Sequence, residues 1–260
     1  MSHAKKTMQS GFTLIELLLA MAFIAMLLLA IATTILQITR TYNTGLTLKE
    51  VNQTSRTILD YLQRDIGASP PFSLTTTVQN PRYIASVTEG AYTGRLCLGQ
   101  YSYIWNYGRG LVSSNVDIAK YSGTTNKDKI RFVRIPDADA SYCTLQANDK
   151  YKDVDPTLAN ELLSGTDHDL VLHWFRIDTN ETSAKDPLTQ QQMYRVSFTL
   201  GTNNQDQAGN GALLIEKQTI GGQQVSVVTG CKPPNVAGSD LEYCAVEQFG
   251  LVARAQNAVK

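Results

Sequence analysis

From Leu17 to Thr39 the chain carries no charged side chain, and Leu, Ala, Ile and Met dominate the run. Extended back to Phe12, it covers 27 residues to Ile38, broken only by Thr13, Glu16, Thr33, Thr34 and Gln37. Coiled as an α-helix it measures about 40 Å, enough to cross a hydrocarbon layer of about 30 Å with some tilt. Arg40 closes the run on one side, and Lys5 and Lys6 lie on the other. By the positive-inside tendency the lysine pair keeps a short N-terminus in the cytoplasm and sends everything after Arg40 outward. The cytoplasmic membrane is thus the first expected partner. The rest of the 260 residues is rich enough in apolar side chains (43% overall, against 18% charged) to bury a core. Twenty-three basic residues balance 23 acidic ones, which argues against a protein built to grip nucleic acid over a broad basic face.

A cleaved secretory signal and a plain membrane anchor both fit an apolar run. Ala20-Met21-Ala22 and Ala30-Ile31-Ala32 have the small-x-small form of a secretory cleavage site, but the run is longer than the usual signal core. Glu16 fits neither reading. A carboxylate just inside an apolar segment costs at least about 2 kcal/mol and calls for a partner.

The residues around it, Ser10-Gly11-Phe12-Thr13-Leu14-Ile15-Glu16-Leu17, follow a short basic leader. This stretch resembles the class III signal of the type IV pilin superfamily. The resemblance implies that prepilin peptidase cuts after Gly11, that the new amine of Phe12 is methylated, and that Glu16 stands at the fifth mature position. There it would recruit incoming subunits through their N-terminal amines. The chemistry is compatible: Gly11 leaves the backbone open to a protease, and a buried carboxylate is tolerated when a cation from a neighbouring subunit pairs with it. Losing residues 1–11 removes Lys5 and Lys6, so basic residues fall to 21 against 23 acidic ones.

Past Arg40 the pattern turns amphipathic. Leu48, Val51, Ser55, Ile58, Leu62 and Ile66 recur at steps of three and four, one stripe on a helix. Gly67 and Pro70-Pro71 predict its stop. Thr39, Thr41, Thr44 and Gly45 predict a weak seam, a place for a bend or fray. The helix ending Leu62-Gln63-Arg64-Asp65-Ile66 is similar to that of W-type minor pilins and J-type minor pseudopilins. This second resemblance implies a minor type IV pilin that primes pilus assembly with other major and minor pilins. The alternatives are a J-type pseudopilin of a type II secretion system and an anchored surface binding protein that never polymerises. In the superfamily the tip component typically lacks the glutamate, so Glu16 implies a position other than the tip.

Beyond residue 72 no long helical period appears. Six short β-rich runs do, at 130–135, 170–177, 193–200, 213–220, 225–228 and 249–253, many ended by Gly, Asn, Asp or Pro. The expected architecture is α+β. It comprises a leader over 1–11, a membrane-spanning half-helix over 12–39, an amphipathic half over 40–67, and a mainly antiparallel β head over 68–260 outside the cytoplasm. A long irregular insertion is expected from about 73 to 129.

Outside the cytoplasm Cys97, Cys143, Cys231 and Cys244 allow three disulfide pairings. Closeness in sequence favours Cys231–Cys244, around Pro233-Pro234 and Gly238, which leaves Cys97–Cys143; four buried free thiols are the alternative. A terminal cystine loop is also what the pilin resemblance implies. His168 and His173 flank a strand-like run without metal-protease spacing, and Asp149, Asp153 and Asp155 lack the glycine and closing glutamate of a calcium loop. No nucleophile elbow, phosphate loop or dinucleotide fingerprint occurs. The expectation is a protein without cofactor, metal or catalytic residues. Tyr101, Tyr103, Trp105 and Tyr107 alternate with period two, as on the inner face of a sheet or, alternatively, on a docking surface. Lys127, Lys129, Arg131 and Arg134 read as a solvated strand edge rather than a DNA contact.

Overall fold

The computed structural model describes residues 13–74, 81–88, 91–113, 118–123, 129–147, 149–164, 168–179, 191–203, 211–220, 223–240 and 242–256. Lys5, Lys6, Gly11, Phe12 and Lys127 lie outside them. The chain divides into two compact units, Met1–Asn43 and Thr44–Lys260. A single helix, α1 (Leu14–Ala68), contributes to both.

The helix accommodates the hydroxyls of its threonines locally. Thr33 and Thr34 both donate their hydroxyls to the Ala30 carbonyl, Thr39 to Ile35 and Thr41 to Gln37, at 2.8–3.0 Å. These hydroxyls bond back along their own helix, so they add no unmet polar group to the apolar run. No fray opens between Thr39 and Gly45, and helical backbone runs on to Ala68. Ser69 ends it by donating its N–H (3.1 Å) and its hydroxyl (2.8 Å) to the Ile66 carbonyl, and Pro70 cannot continue.

In the second unit one stripe of α1 is buried: Thr47, Val51, Ser55, Ile58, Leu62, Asp65 and Ile66. All described strand pairs are antiparallel. Strands β1 (Tyr83–Thr88), β2 (Ala91–Cys97), β3 (Tyr101–Asn106), β4 (Phe132–Pro136) and β5 (Asn160–Glu161) form one sheet in sequence order. A second sheet has the order β10 (Val246–Arg254), β7 (Met193–Thr202), β6 (Leu170–Asp178), and β8 (Leu213–Ile220) with β9 (Gln223–Cys231) forms a two-stranded ribbon. A short helix, α2 (Gly108–Val112), follows β3. The α+β fold class holds: the long apolar helix packs on antiparallel sheets through its second half.

The stretch 73–129, expected to be irregular, holds three strands and α2. Apart from the period-two aromatics of 101–107 its strands leave no alternating pattern in the sequence, because the sheet is covered on both sides. On one face Tyr103 and Trp105 join Val51, Ile58, Leu62 and Ile66 of α1 and Phe175 and Phe198 of the second sheet in the main core. On the other, Cys97, Ile104, Val133 and Ile135 meet Ile130, Tyr142 and Val154 in a separate core. A strand buried on both faces loses the apolar–polar alternation that marks a half-buried one. Trp105 is central to the main core, its ring 4.4 Å from that of Phe175. Its cross-strand neighbour must be Gly94, since a Cβ there would fall 2.2 Å from the indole. Of the alternating aromatics, Tyr103, Trp105 and Tyr107 are buried and Tyr101 is half-buried.

Candidate functional site

The start of α1 is a reciprocal cap. Thr13 donates its N–H (3.0 Å) and its hydroxyl (2.8 Å) to Glu16 Oε2, while the Glu16 N–H reaches back to Thr13 Oγ1 at 3.4 Å. This is the capping-box arrangement, which satisfies donors at a helix start and sets a negative charge beside the positive end of the helix dipole. Thr-x-x-Glu is readable in the sequence, yet the glutamate stands out there only as a misplaced charge. From Leu14 through Ile38 the large apolar side chains of α1 are exposed all round. Among the described residues α1 is the one helix long and apolar enough to cross a membrane. A helix apolar on every side needs an apolar surrounding, which lipid or a bundle of like helices provides.

At the other end of α1 stands Asp65, whose role no sequence motif marks. Its carboxylate takes the fork of Arg134, Nε to Oδ2 at 2.6 Å and Nη2 to Oδ1 at 3.0 Å, and accepts the Tyr103 hydroxyl at 2.5 Å. The Asp65 and Arg134 side chains are only 5% and 11% exposed. The guanidinium also lies over the Tyr101 ring, 3.3 Å from its centroid. Burial, reinforced by the neighbouring Asp65, pushes the Tyr103 hydroxyl well above its usual pKa and keeps it a donor. This cluster ties the last turn of α1 to β3 and β4.

Of the basic group at 127–134, the described members Lys129, Arg131 and Arg134 do not make a solvated edge. β4 lies between β3 and β5, so Arg134 points to a buried partner. Arg131 pairs with Asp169 at 3.0 Å, and the Lys129 ammonium donates to the Leu111 carbonyl. Each cation has its own partner; Lys129 and Arg131 line one open pocket with Glu161 and Asp169, and Arg134 stands in the Asp65 cluster.

A further tie joins α1 to the loop before β6: His168 Nδ1 lies 2.5 Å from Glu50 Oε2 and its Nε2 lies 3.2 Å from Thr47 Oγ1. His173, five residues on, sits at a β-bulge in β6 and is buried, with Nε2 3.2 Å from the Thr202 carbonyl. The two histidines do not meet. Burial lowers the His173 pKa to about 4, partly opposed by the bond to Thr202. An unfolded imidazole takes up its proton near pH 6.5 and the folded one only near pH 4, so stability is full above pH 6.5 and falls as pH drops to 4. The loss is about 3 kcal/mol. Urea unfolding of the wild type and His173→Gln at pH 7 and pH 4 will give a shallower acid loss in the variant.

All four cysteines are paired, Cys97 with Cys143 and Cys231 with Cys244. The first joins β2 to the 3-10 turn Ser141–Cys143, and the second closes the segment between β9 and β10. Among the described residues no three His, Cys, Asp or Glu side chains are grouped to hold a metal. Asp155 instead caps a turn, accepting the Thr157 N–H at 2.9 Å and hydroxyl at 2.7 Å. No protein-family model, no curated protein and no solved structure matches the chain.

Proposed function

We propose that this chain is a minor type IV pilin, cut by prepilin peptidase between Gly11 and Phe12 and carried into a pilus through α1. The observation that carries this reading is α1 itself. One continuous helix begins at a glutamate and runs apolar on all sides through residue 38. It then changes to a single stripe packed on an antiparallel head. A soluble domain has no use for the first half, and a simple anchor would use Glu16 only as a helix cap. A bundle of like helices uses both, because each helix buries its apolar surface against its neighbours and each carboxylate finds a neighbour's N-terminal amine. The cystine between Cys231 and Cys244 is in keeping with a head exported to an oxidising compartment.

The test is the N-terminus of the protein recovered from cells. Intact-mass measurement with N-terminal sequencing will find Phe12 as the first residue, methylated on its amine. A chain beginning at Met1, or just after Ala22 or Ala32, overturns the assignment in favour of an anchor or a secretory signal.

A further inference from the structure

We infer that the head binds a neutral sugar in an open pocket of about 530 Å³ lined chiefly by Leu111, Val112, Lys129, Arg131, Asp169 and Asn203. Tyr121 and Glu161 complete the wall. The size lies within the range of about 300–1,000 Å³ of small-molecule sites. The site belongs wholly to the second unit and stands independently of the pilin reading.

Strand pairing brings the wall together. β6 and β7 pair through Leu170 and Thr202, so Asp169 and Asn203 meet at the end of that ladder, where the Asn203 N–H donates to the Asp169 carbonyl at 2.9 Å. β4 and β5 pair through Val133 and Glu161, with Arg131 just ahead of β4, and Leu111 and Val112 end α2. The polar ends lie at the wall itself, because three bonds each join one lining residue to another. Arg131 Nη1 donates to Asp169 Oδ1 at 3.0 Å, the Lys129 ammonium to the Leu111 carbonyl, and the Tyr121 hydroxyl to Glu161 Oε2 at 3.3 Å.

These bonds leave a defined remainder. Lys129 uses one of its ammonium N–H groups and Arg131 one of its guanidinium N–H groups, so both keep donors. Asp169 Oδ2 accepts from none of the described residues, and its side chain is 67% exposed. Asn203 Oδ1 is buried without a partner. It lies 3.1 Å from the place a Gly108 Cβ would take, and His173 Nδ1 lies 3.3 Å from the same point. His173 donates from Nε2 to the Thr202 carbonyl, and burial, which lowers its pKa to about 4, keeps the ring neutral at pH 7. Nδ1 is therefore an acceptor as well. Two acceptors face one notch, and Oδ1 finds no donor there. A half-turn of the amide sends its NH2 toward Nδ1 and its oxygen toward the pocket, where a ligand hydroxyl donates to it.

This remainder suits hydroxyl groups rather than an ion. Two cations and two carboxylates line the pocket, so no field of one sign draws a counter-ion. Arg131 and Asp169 neutralise each other. Glu161 is already held by the N–H groups of Arg131, Phe132 and Leu163 besides Tyr121, which leaves it little for a ligand ammonium. A hydroxyl both donates and accepts, and a sugar ring carries several. They accept from Lys129 and Arg131 and donate to Asp169 Oδ2 and Asn203, and bonds to charged groups are the stronger kind. The half-buried Leu111 and Val112 give the ring C–H groups an apolar strip.

Saturation-transfer NMR on the full chain, in a polyoxyethylene detergent that carries no sugar, will test this. The probes are glucose, galactose, mannose and N-acetylglucosamine, each free and as its methyl glycoside. At least one will bind saturably, and equally at about 50 mM and about 500 mM salt, because the ligand carries no charge to screen. Binding of the glycoside as well as the free sugar marks the end of a glycan chain, and binding of the free sugar alone marks a soluble sugar; either supports the site. Asp169→Ala, at an exposed position, will weaken binding about tenfold or more with the melting temperature unchanged. Asn203→Ala removes an acceptor that has no partner in the free protein, and will weaken binding about as much without lowering the melting temperature. Failure of all four sugars, binding of inorganic phosphate or glycine in their place, or undiminished affinity in either variant overturns it.

Discussion

Replacing Arg134 with methionine will cost the head about 3–5 kcal/mol, the range for stripping one member from a buried ion pair. Asp65, whose side chain is 5% exposed beside Arg134, would be left with the Tyr103 hydroxyl and an edge of Arg64 for company. Arg64 stands 3.5 Å away but is 63% exposed, so solvent screens most of what it offers. Arg134→Lys keeps the charge and loses the two-pronged bond to Oδ1 and Oδ2, so it falls between wild type and methionine. Asp65→Leu together with Arg134→Met removes both charges and recovers most of the loss, because the dominant cost is the orphaned carboxylate and not the missing attraction. Urea unfolding of the four proteins in detergent supplies the cycle. A loss below about 1 kcal/mol for Arg134→Met, the value of an exposed pair, would mean that solvent reaches the cluster.

That cluster also marks where the sequence stops being legible. Val51, Ser55, Ile58, Leu62 and Ile66 announce their stripe because helical packing repeats every 3.6 residues, whatever the partner surface is. Asp65 lies on the same buried stripe but scores as polar, and its counter-charge is 69 residues away, so no window along the chain contains the pair. Strand β3 shows its alternating aromatics in the sequence, but not what its polar positions do. Ser102 and Asn106 read as solvent-facing, yet Ser102 donates to the Asp137 carboxylate at 2.6 Å and Asn106 to two backbone carbonyls. Polar residues satisfied inside a second core keep the alternation of a half-buried strand in a strand that is buried on both faces. The later strands, β6 to β10, stand out because Gly, Asn, Asp and Pro punctuate them. At the site the position of Glu16 was legible and its bonding was not, although Thr13 three residues earlier spells a cap.

Glu16→Gln is expected to abolish incorporation into filaments as completely as Glu16→Ala, while both variants still insert in the membrane. The glutamine is the informative change. In the isolated chain Glu16 already has a task, accepting both donors of Thr13, and alanine removes that cap along with the charge. Glutamine keeps a carbonyl oxygen in the same place and is a normal member of the capping box, so helix initiation is preserved to within about 1 kcal/mol. It carries no charge, however, and cannot pair with an N-terminal ammonium. Insertion itself gains from the change, since a charge within the hydrocarbon costs at least about 2 kcal/mol that a neutral amide largely avoids. Membrane fractionation and the sheared-filament yield therefore separate two roles that one carboxylate combines. If the glutamine variant assembles at the wild-type level, Glu16 serves the helix alone, and assembly by charge pairing between subunits is refuted. If it inserts but never reaches filaments, the cap is incidental, and the charge is what one subunit offers the next.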